Sequence, residues 1–201
     1  MSNLDHWEQR FGTPDYVFGA APNAFLVSQA HRLKPGQTAL AVADGEGRNG
    51  VWLAEQGLDV FAVDFSPTAI GKARALAAQR GVSVRYEQAD MEHWVWPERR
   101  FDAVVAIFIQ FAPPDLRAKI FAGMARALKP GGHLIMQGYR PAQIAYGTGG
   151  PRQPEHLYTR TMLEAAFADF VSVEIREHDS PIHEGKGHDG MSALIDLVAT
   201  K

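Results

Sequence analysis

The chain has 201 residues, 46% hydrophobic and 21% charged, with 23 acids against 20 Lys and Arg for a net charge of −3. This is the balance of one soluble globular domain with a full core, and its bases are scattered, which excludes a nucleic-acid stripe and, with no long apolar run, a membrane span. Cysteine is absent, which excludes disulfides, thiolate nucleophiles and Cys-ligated metal and suits a reducing cytoplasm, while the polar, early-acidic start is unlike a secretory signal.

Leu4, Trp7 and Phe11 fall at helical spacing and predict a short amphipathic helix stopped by Gly12 and Pro14. Tyr16 and Phe18 follow in a glycine-flanked segment, as a lid over a ligand or as cover for the sheet. Asn23 to Leu33 reads as a helix ended by Lys34-Pro35-Gly36. Thr38 to Ala43 is small and apolar, as a strand buried on both faces is, and it runs into Gly45-Glu46-Gly47-Arg48-Asn49-Gly50. A short helix to Gln56 with a glycine cap at Gly57 comes next, then a second strand ending at Asp64.

Ser66-Pro67 opens a helix that ends before Gly81. Val82 to Gln88 reads as a third strand with Asp90 just beyond it, and Phe101 to Phe108 as the most hydrophobic, central strand. Asp115 to Leu128 reads as a helix, Lys129-Pro130-Gly131-Gly132 as a turn and His133 to Gln137 as a fifth strand. Gly138 to Pro154, carrying Tyr139, Arg140 and Tyr146, reads as a substrate-selecting loop. Thr159 to Ala168 is a last helix, and Val171 to His178 and Met191 to Ala199 are an antiparallel pair joined by a polar loop. The fold class is therefore α/β, a Rossmann-like doubly wound sheet, mostly parallel, with an antiparallel pair at its C-terminal end.

The chemistry concentrates in the strand, glycine turn, helix, strand and acid of residues 38 to 64. Glycines let a ligand approach the backbone, the helix start offers unpaired N–H groups, and Asp64 can accept both hydroxyls of a ribose. The pattern Gly45-x-Gly47-x-x-Gly50 also satisfies the nicotinamide-dinucleotide fingerprint, so an NAD(P)-dependent oxidoreductase is an alternative. His188, in the last loop, is a candidate general base, with a solvated loop histidine as the plainer reading. The histidines and acids of residues 178 to 189 have no recognised metal spacing, so no metal is expected.

The order of glycine turn, Asp64, Ala89-Asp90-Met91, Phe101-Asp102-Ala103-Val104-Val105 and Leu128-Lys129-Pro130-Gly131-Gly132-His133-Leu134 resembles the class I S-adenosylmethionine-dependent methyltransferases over roughly residues 36 to 138. Trp7 through Gly19, Gly45 to Asn49 and Glu184 to Gly190 look most like the small bacterial tellurite-resistance and thiopurine-methyltransferase branch. The resemblance implies S-adenosylmethionine as cofactor. It places Gly45 and Gly47 at its methionine portion, Asp64 on the ribose, Asp90 with Phe65 and Met91 at the adenine, Phe108 near the methyl, and Asn49 among the cofactor-binding residues. It also implies one domain over 1–201, with a helical cover (1–35), a cofactor core (36–138) and a substrate loop with closing strands (139–201).

The chain departs from the family where the usual acid is Ala41 and the first glycine is Ala43. Either Asp44 takes over the contact with the cofactor's ammonium group or affinity is weakened. Ala106 to Phe111 lacks the motif of base-methylating enzymes, so the expected partner is a small-molecule methyl acceptor, a thiol, a metalloid or a similar nucleophile, held by Tyr16, Phe18, Tyr139 and Arg140, with Arg140 pairing an anion or standing as a surface arginine. A cofactor-binding sensor without turnover is the alternative of another class.

Overall fold

The computed structural model describes residues 3–201, and every strand in it joins one seven-stranded sheet in the order β3-β2-β1-β4-β5-β7-β6. The strands are β1 (Thr38–Val42), β2 (Asp59–Asp64), β3 (Arg85–Gln88), β4 (Phe101–Ile107), β5 (Leu128–Tyr139), β6 (Ser172–His183) and β7 (Asp189–Thr200). The first five pair in parallel, and β7 runs antiparallel between β5 and β6. β1 and β4 are buried almost throughout because helices cover both faces, which is why their sequences read as continuous apolar runs.

The helices are α1 (Asn3–Phe11), α2 (Ala24–Ser28), α3 (Arg48–Glu55), α4 (Pro67–Arg80), α5 (Pro114–Ala127), α6 (Gln143–Tyr146) and α7 (Arg160–Ala166). α4 begins and ends as its sequence dictates: Ser66 Oγ accepts from Ala69 N, and Gly81 closes the helix in the left-handed region at φ 69°. Strand order reverses at β1, which has β2 on one side and β4 on the other. A crevice therefore opens beyond the carboxyl ends of β1 and β4.

Five expected elements are corrected, one of them the loop over 138–154, since β5 runs on to Tyr139 and Gln143–Tyr146 is helical. The helix over 23–33 breaks into α2 and a 3₁₀ turn, Ala30–Arg32, because Gln29 leaves helical geometry (ψ 5°). The third strand starts only at Arg85, since the Val82 N–H is used to close α4 on Ala77 O (3.0 Å). Lys129 to Gly132 does not end before a strand but lies within β5, where the pairing with β4 shifts register between Phe101 and Ala103. The closing strands extend through His183 and from Asp189, leaving only residues 184 to 188 as the turn.

α5 packs so closely on Trp96 that a Cβ at Gly123 would fall 2.3 Å from the indole. The helix propensity gained by Gly123→Ala, about 1 kcal/mol, is outweighed by overpacking of 1–3 kcal/mol or more against a buried ring. We expect a net loss of about 1–2 kcal/mol in chemical denaturation. An unchanged midpoint would mean that Trp96 does not fill this space.

Candidate active site

A cleft of about 590 Å³ lies at the crevice, within the size range of small-ligand sites. Its floor is the turn after β1, where Ala43 (φ 47°), Gly45 (φ 59°) and Gly47 (φ 91°) are all left-handed. Alanine in that region costs about 1–2 kcal/mol, so the missing first glycine of the turn is a real strain. Gly45 lines the cleft, but Gly47 does not: a Cβ there would meet Ala73 Cβ at 2.6 Å, so Gly47 makes room for α4.

Asp64 ends β2 on the cleft wall, 8% exposed. Its carboxylate accepts from Gly45 N (2.8 Å) and Ser66 N (2.9 Å), tying the glycine turn to the start of α4. Burial raises its pKa, and these N–H bonds offset the rise only in part. Phe65, Asp90 and Met91 continue the same wall. Burial raises Asp90, yet hydrogen bonds from His93 and the Glu92 N–H outweigh it and hold the carboxyl below its usual range.

Asp44 and Arg48 flank the glycine turn and both line the cleft. Asp44 Oδ1 accepts from Gly50 N (3.0 Å), and a side chain at Gly50 would fall 2.4 Å from Oδ2. Burial first, then the charge of Asp64, pushes Asp44 up to about 7 against the Gly50 N–H and Arg48. Arg48 Nη2 pairs with Glu184 Oε2 at 2.7 Å. Among the described residues, the buried side-chain polar atoms without a hydrogen-bond partner are Asp44 Oδ2 and Arg48 Nη1. An orphan acceptor and an orphan donor on one turn fit the ammonium and carboxylate of a free amino-acid group.

The opposite wall is aromatic. Phe108, just past β4, holds φ 55°, a conformation that a bulky residue adopts only when its surroundings impose it. His188 lies between Phe18 (centroids 4.7 Å) and Phe108 (4.4 Å), and its Nδ1 is 2.6 Å from Tyr139 Oη. It is thus not the solvated loop histidine of the plainer reading but 7% exposed, and burial, Arg48 and Arg10 push it down to about 3. An imidazole whose conjugate acid is so acidic has little affinity for a proton, which makes it a weak base.

Two expected substrate contacts stand elsewhere. Tyr16 packs with Val51, Leu76 and Ala77, and its hydroxyl donates to Lys72 O (3.2 Å), because the segment turns toward α4. Arg140 is drawn to Asp179 and donates from Nε to Leu194 O (3.0 Å), at the sheet edge and outside the cleft. Sequence reasoning missed Arg10 and Glu46 on the cleft wall and the Glu184 carboxylate, which also accepts from Asn23 Nδ2 (3.0 Å). It missed Glu8 as well, which accepts from Ser66 Oγ and from Thr68 Oγ1 (2.6 Å) and pins α1 over the start of α4. Asn49 Oδ1 accepts from Asn23 N (3.0 Å), so its acceptor faces the N-terminal segment.

Residues 39–132, from β1 into β5, match the family model described as a methyltransferase domain. Over these residues the chain is similar to S-adenosylmethionine-dependent methyltransferases, and its seven-stranded sheet has their class I fold. Among curated relatives, it is 27% identical over 146 residues to the 2-heptyl-1-hydroxyquinolin-4(1H)-one methyltransferase of Mycobacteroides abscessus, covering 72% of this chain and 64% of that one. The chain spans about half the length of the curated relatives it matches. Its fold is that of a structure described for the conversion of a disulfide bond into a thioacetal group during echinomycin biosynthesis (TM-score 0.78, 20% identity, covering 100% and 92% of the two chains). It is also that of TehB from Haemophilus influenzae (TM-score 0.72, 16% identity, covering 98% and 66%). The closing pair β6 and β7 belongs to this methyltransferase fold, and no described helix is long and apolar enough to cross a membrane.

Proposed function

We propose that this chain transfers the methyl group of S-adenosylmethionine to a small-molecule acceptor. The observation that carries the reading is the pair of orphan atoms, Asp44 Oδ2 and Arg48 Nη1, on the glycine turn of a methyltransferase domain. When bound, S-adenosylmethionine supplies an electrophilic methyl on a sulfonium. Asp44 takes its ammonium, Arg48 its carboxylate, Asp64 its ribose hydroxyls, and Phe65, Asp90 and Met91 its adenine. Phe108 and Phe18, with His188 stacked between them, then form the aromatic wall that excludes water from the methyl. Little covalent assistance is needed, so the wall works by alignment. A thiol or metalloid nucleophile suits such a site, and the hydroxyquinolone named for the Mycobacteroides abscessus relative supports an acceptor with a flat body.

Calorimetric titration with S-adenosylmethionine, S-adenosylhomocysteine, NAD and NADP tests the cofactor, followed by radiolabelled methyl transfer to thiols and metalloid oxyanions. Binding of the sulfur compounds with turnover supports the reading. Binding of dinucleotides alone would overturn it, and binding of the sulfur compounds without transfer to any acceptor would leave a cofactor sensor.

A pH dependence follows from Asp44. Free Asp44 holds a proton below about pH 7, and an ammonium partner requires the carboxylate, so binding below that pH releases a proton. Affinity for S-adenosylmethionine should fall toward tenfold per unit as pH drops from 7 to 5. Calorimetry in two buffers of different ionisation enthalpy should count the released proton, and a flat profile lost to neither buffer would remove Asp44 from the contact. The sign for the free protein is opposite: a carboxyl raised from 3.8 to about 7 withdraws about 1.4 kcal/mol of stability per unit as pH rises through that window.

A further inference from the structure

The cleft is divided by charge. Asp44, Asp64 and Asp90 stand on the side given above to the cofactor, and the aromatic wall faces them with none of these acids. Beside that wall stands Arg10 of α1, exposed at the mouth, its guanidinium 4.9 Å from the centroid of Phe18 and 5.5 Å from that of Trp7. No carboxylate among the described residues lies within ion-pairing distance of it. Glu46, whose charge it feels, is taken by Lys72 Nζ at 2.6 Å and by the Phe18 N–H. Glu184 is likewise taken by Arg48 and Asn23.

The wall itself is a pile of nearly parallel rings. Phe18 and His188 are inclined by 28°, His188 and Phe108 by 26°, and Phe108 and Tyr139 by 28° with centroids 4.7 Å apart. Within the pile the imidazole has one orientation. Its Nδ1 meets Tyr139 Oη at 2.6 Å, and burial raises the phenol's pKa, so Tyr139 keeps a proton that it can donate to an unprotonated Nδ1. The imidazole's own proton then sits on Nε2. The charged and titratable neighbours of the ring are Tyr139 from β5, Arg48 from α3 and Arg10 from α1, and both cations oppose its protonation.

We propose that the acceptor binds as a preformed anion with a flat body, its charge met by Arg10 at the mouth and its nucleophilic atom by the N–H of His188. This rests on the methyl-transfer reading above. The acceptor's lone pair forms the new bond to the methyl carbon as the carbon–sulfur bond breaks, with that bond's electrons passing to sulfur. Anion and sulfonium both end neutral, and no proton leaves in the step. His188 is then a hydrogen-bond donor that holds the nucleophile in line rather than a base. Acidic thiols, phenols and enols fit; amines and ordinary alcohols do not.

The test needs no turnover. The protein saturated with S-adenosylhomocysteine is titrated with 4-nitrophenolate, at a pH where it is ionised, and with neutral 4-nitroanisole of nearly the same shape. The anion should bind at least tenfold tighter. Arg10→Gln should erase that preference while S-adenosylhomocysteine affinity stays within twofold, and Arg10→Lys should keep part of it. His188→Gln, whose amide N–H reaches where Nε2 stood, should bind the anion better than His188→Ala. Equal binding of the two probes by the wild-type complex would overturn the proposal, as would loss of S-adenosylhomocysteine affinity in Arg10→Gln, which would give Arg10 to the cofactor. If S-adenosylhomocysteine itself fails to bind the wild type, the methyl-transfer reading falls first.

Discussion

Replacing Asp64 with alanine is expected to weaken S-adenosylmethionine binding by two orders of magnitude or more. A carboxylate accepting from two ribose hydroxyls makes charge-assisted bonds of about 1.5–3 kcal/mol each, and together these correspond to at least a hundredfold in affinity. The loss is compounded locally, because Asp64 also receives the N–H groups of Gly45 and Ser66 and so holds the glycine turn against the start of α4. Asp64→Asn keeps the shape and one acceptor oxygen and should cost about tenfold. Calorimetry on both variants, with thermal melts to show that they are folded, checks the expectation. Full affinity in a folded Asp64→Ala protein would remove the ribose from this position.

The second large effect is on stability. Glu184 is 11% exposed at its side chain and is the carboxylate that neutralises the buried guanidinium of Arg48. Its oxygens also take the Asn23 amide and the Ala24 N–H (3.2 Å). Glu184→Leu therefore strands a buried cation, a change that costs about 3–5 kcal/mol. In a chain of this length that is a fall in Tm on the order of 10 °C. Adding Arg48→Met should recover most of the stability, since a buried ion pair can be exchanged for packed apolar side chains at little cost. It should not recover cofactor binding, because the donor proposed above for the cofactor's carboxylate is gone. A Glu184→Leu protein that melts with the wild type would show that water reaches Arg48.

The sheet was legible because its signals are local. Thr38 to Val42 and Phe101 to Ile107 are apolar throughout because both of their faces are covered, and Ser66 and Gly81 mark the two ends of α4 within a few residues. Lys129 to Gly132 misled for a physical reason. A Lys-Pro-Gly-Gly run carries turn chemistry, yet here β5 carries it at the start of its pairing with β4, where the register is irregular and Lys129 pairs with Asp102 at 2.8 Å. Asp64 and Asp90 on the cleft wall were legible because they stand at or just beyond strand ends. Arg48 and Glu184 are 136 residues apart (184 − 48), and no pattern in either neighbourhood announces the other. Tyr16 and Phe18 are two residues apart, and only tertiary packing sends the first to α4 and the second onto His188. His188 could be read as a candidate base or as a solvated loop residue, because the turn's composition is hydrophilic. Its burial comes from Phe18 and Phe108, which reach it from far along the chain.

The turn between β6 and β7 is where Gly185 and Gly187 lie against Phe18, close enough that a Cβ on Gly185 would stand 2.5 Å from Phe18 C and one on Gly187 2.3 Å from its ring. Its Glu184 bonds to Asn23, 161 residues earlier. The turn is a late-made part, and it roofs a cleft whose floor is made early. During synthesis the glycine turn and its acids leave the ribosome well before Glu184 and His188, so the nascent chain has a half-built site with Arg48 unpaired. Cofactor affinity should therefore appear only after the last hairpin has docked. A chain stopped short of Glu184 would carry the glycine turn and its acids without the carboxylate that neutralises Arg48.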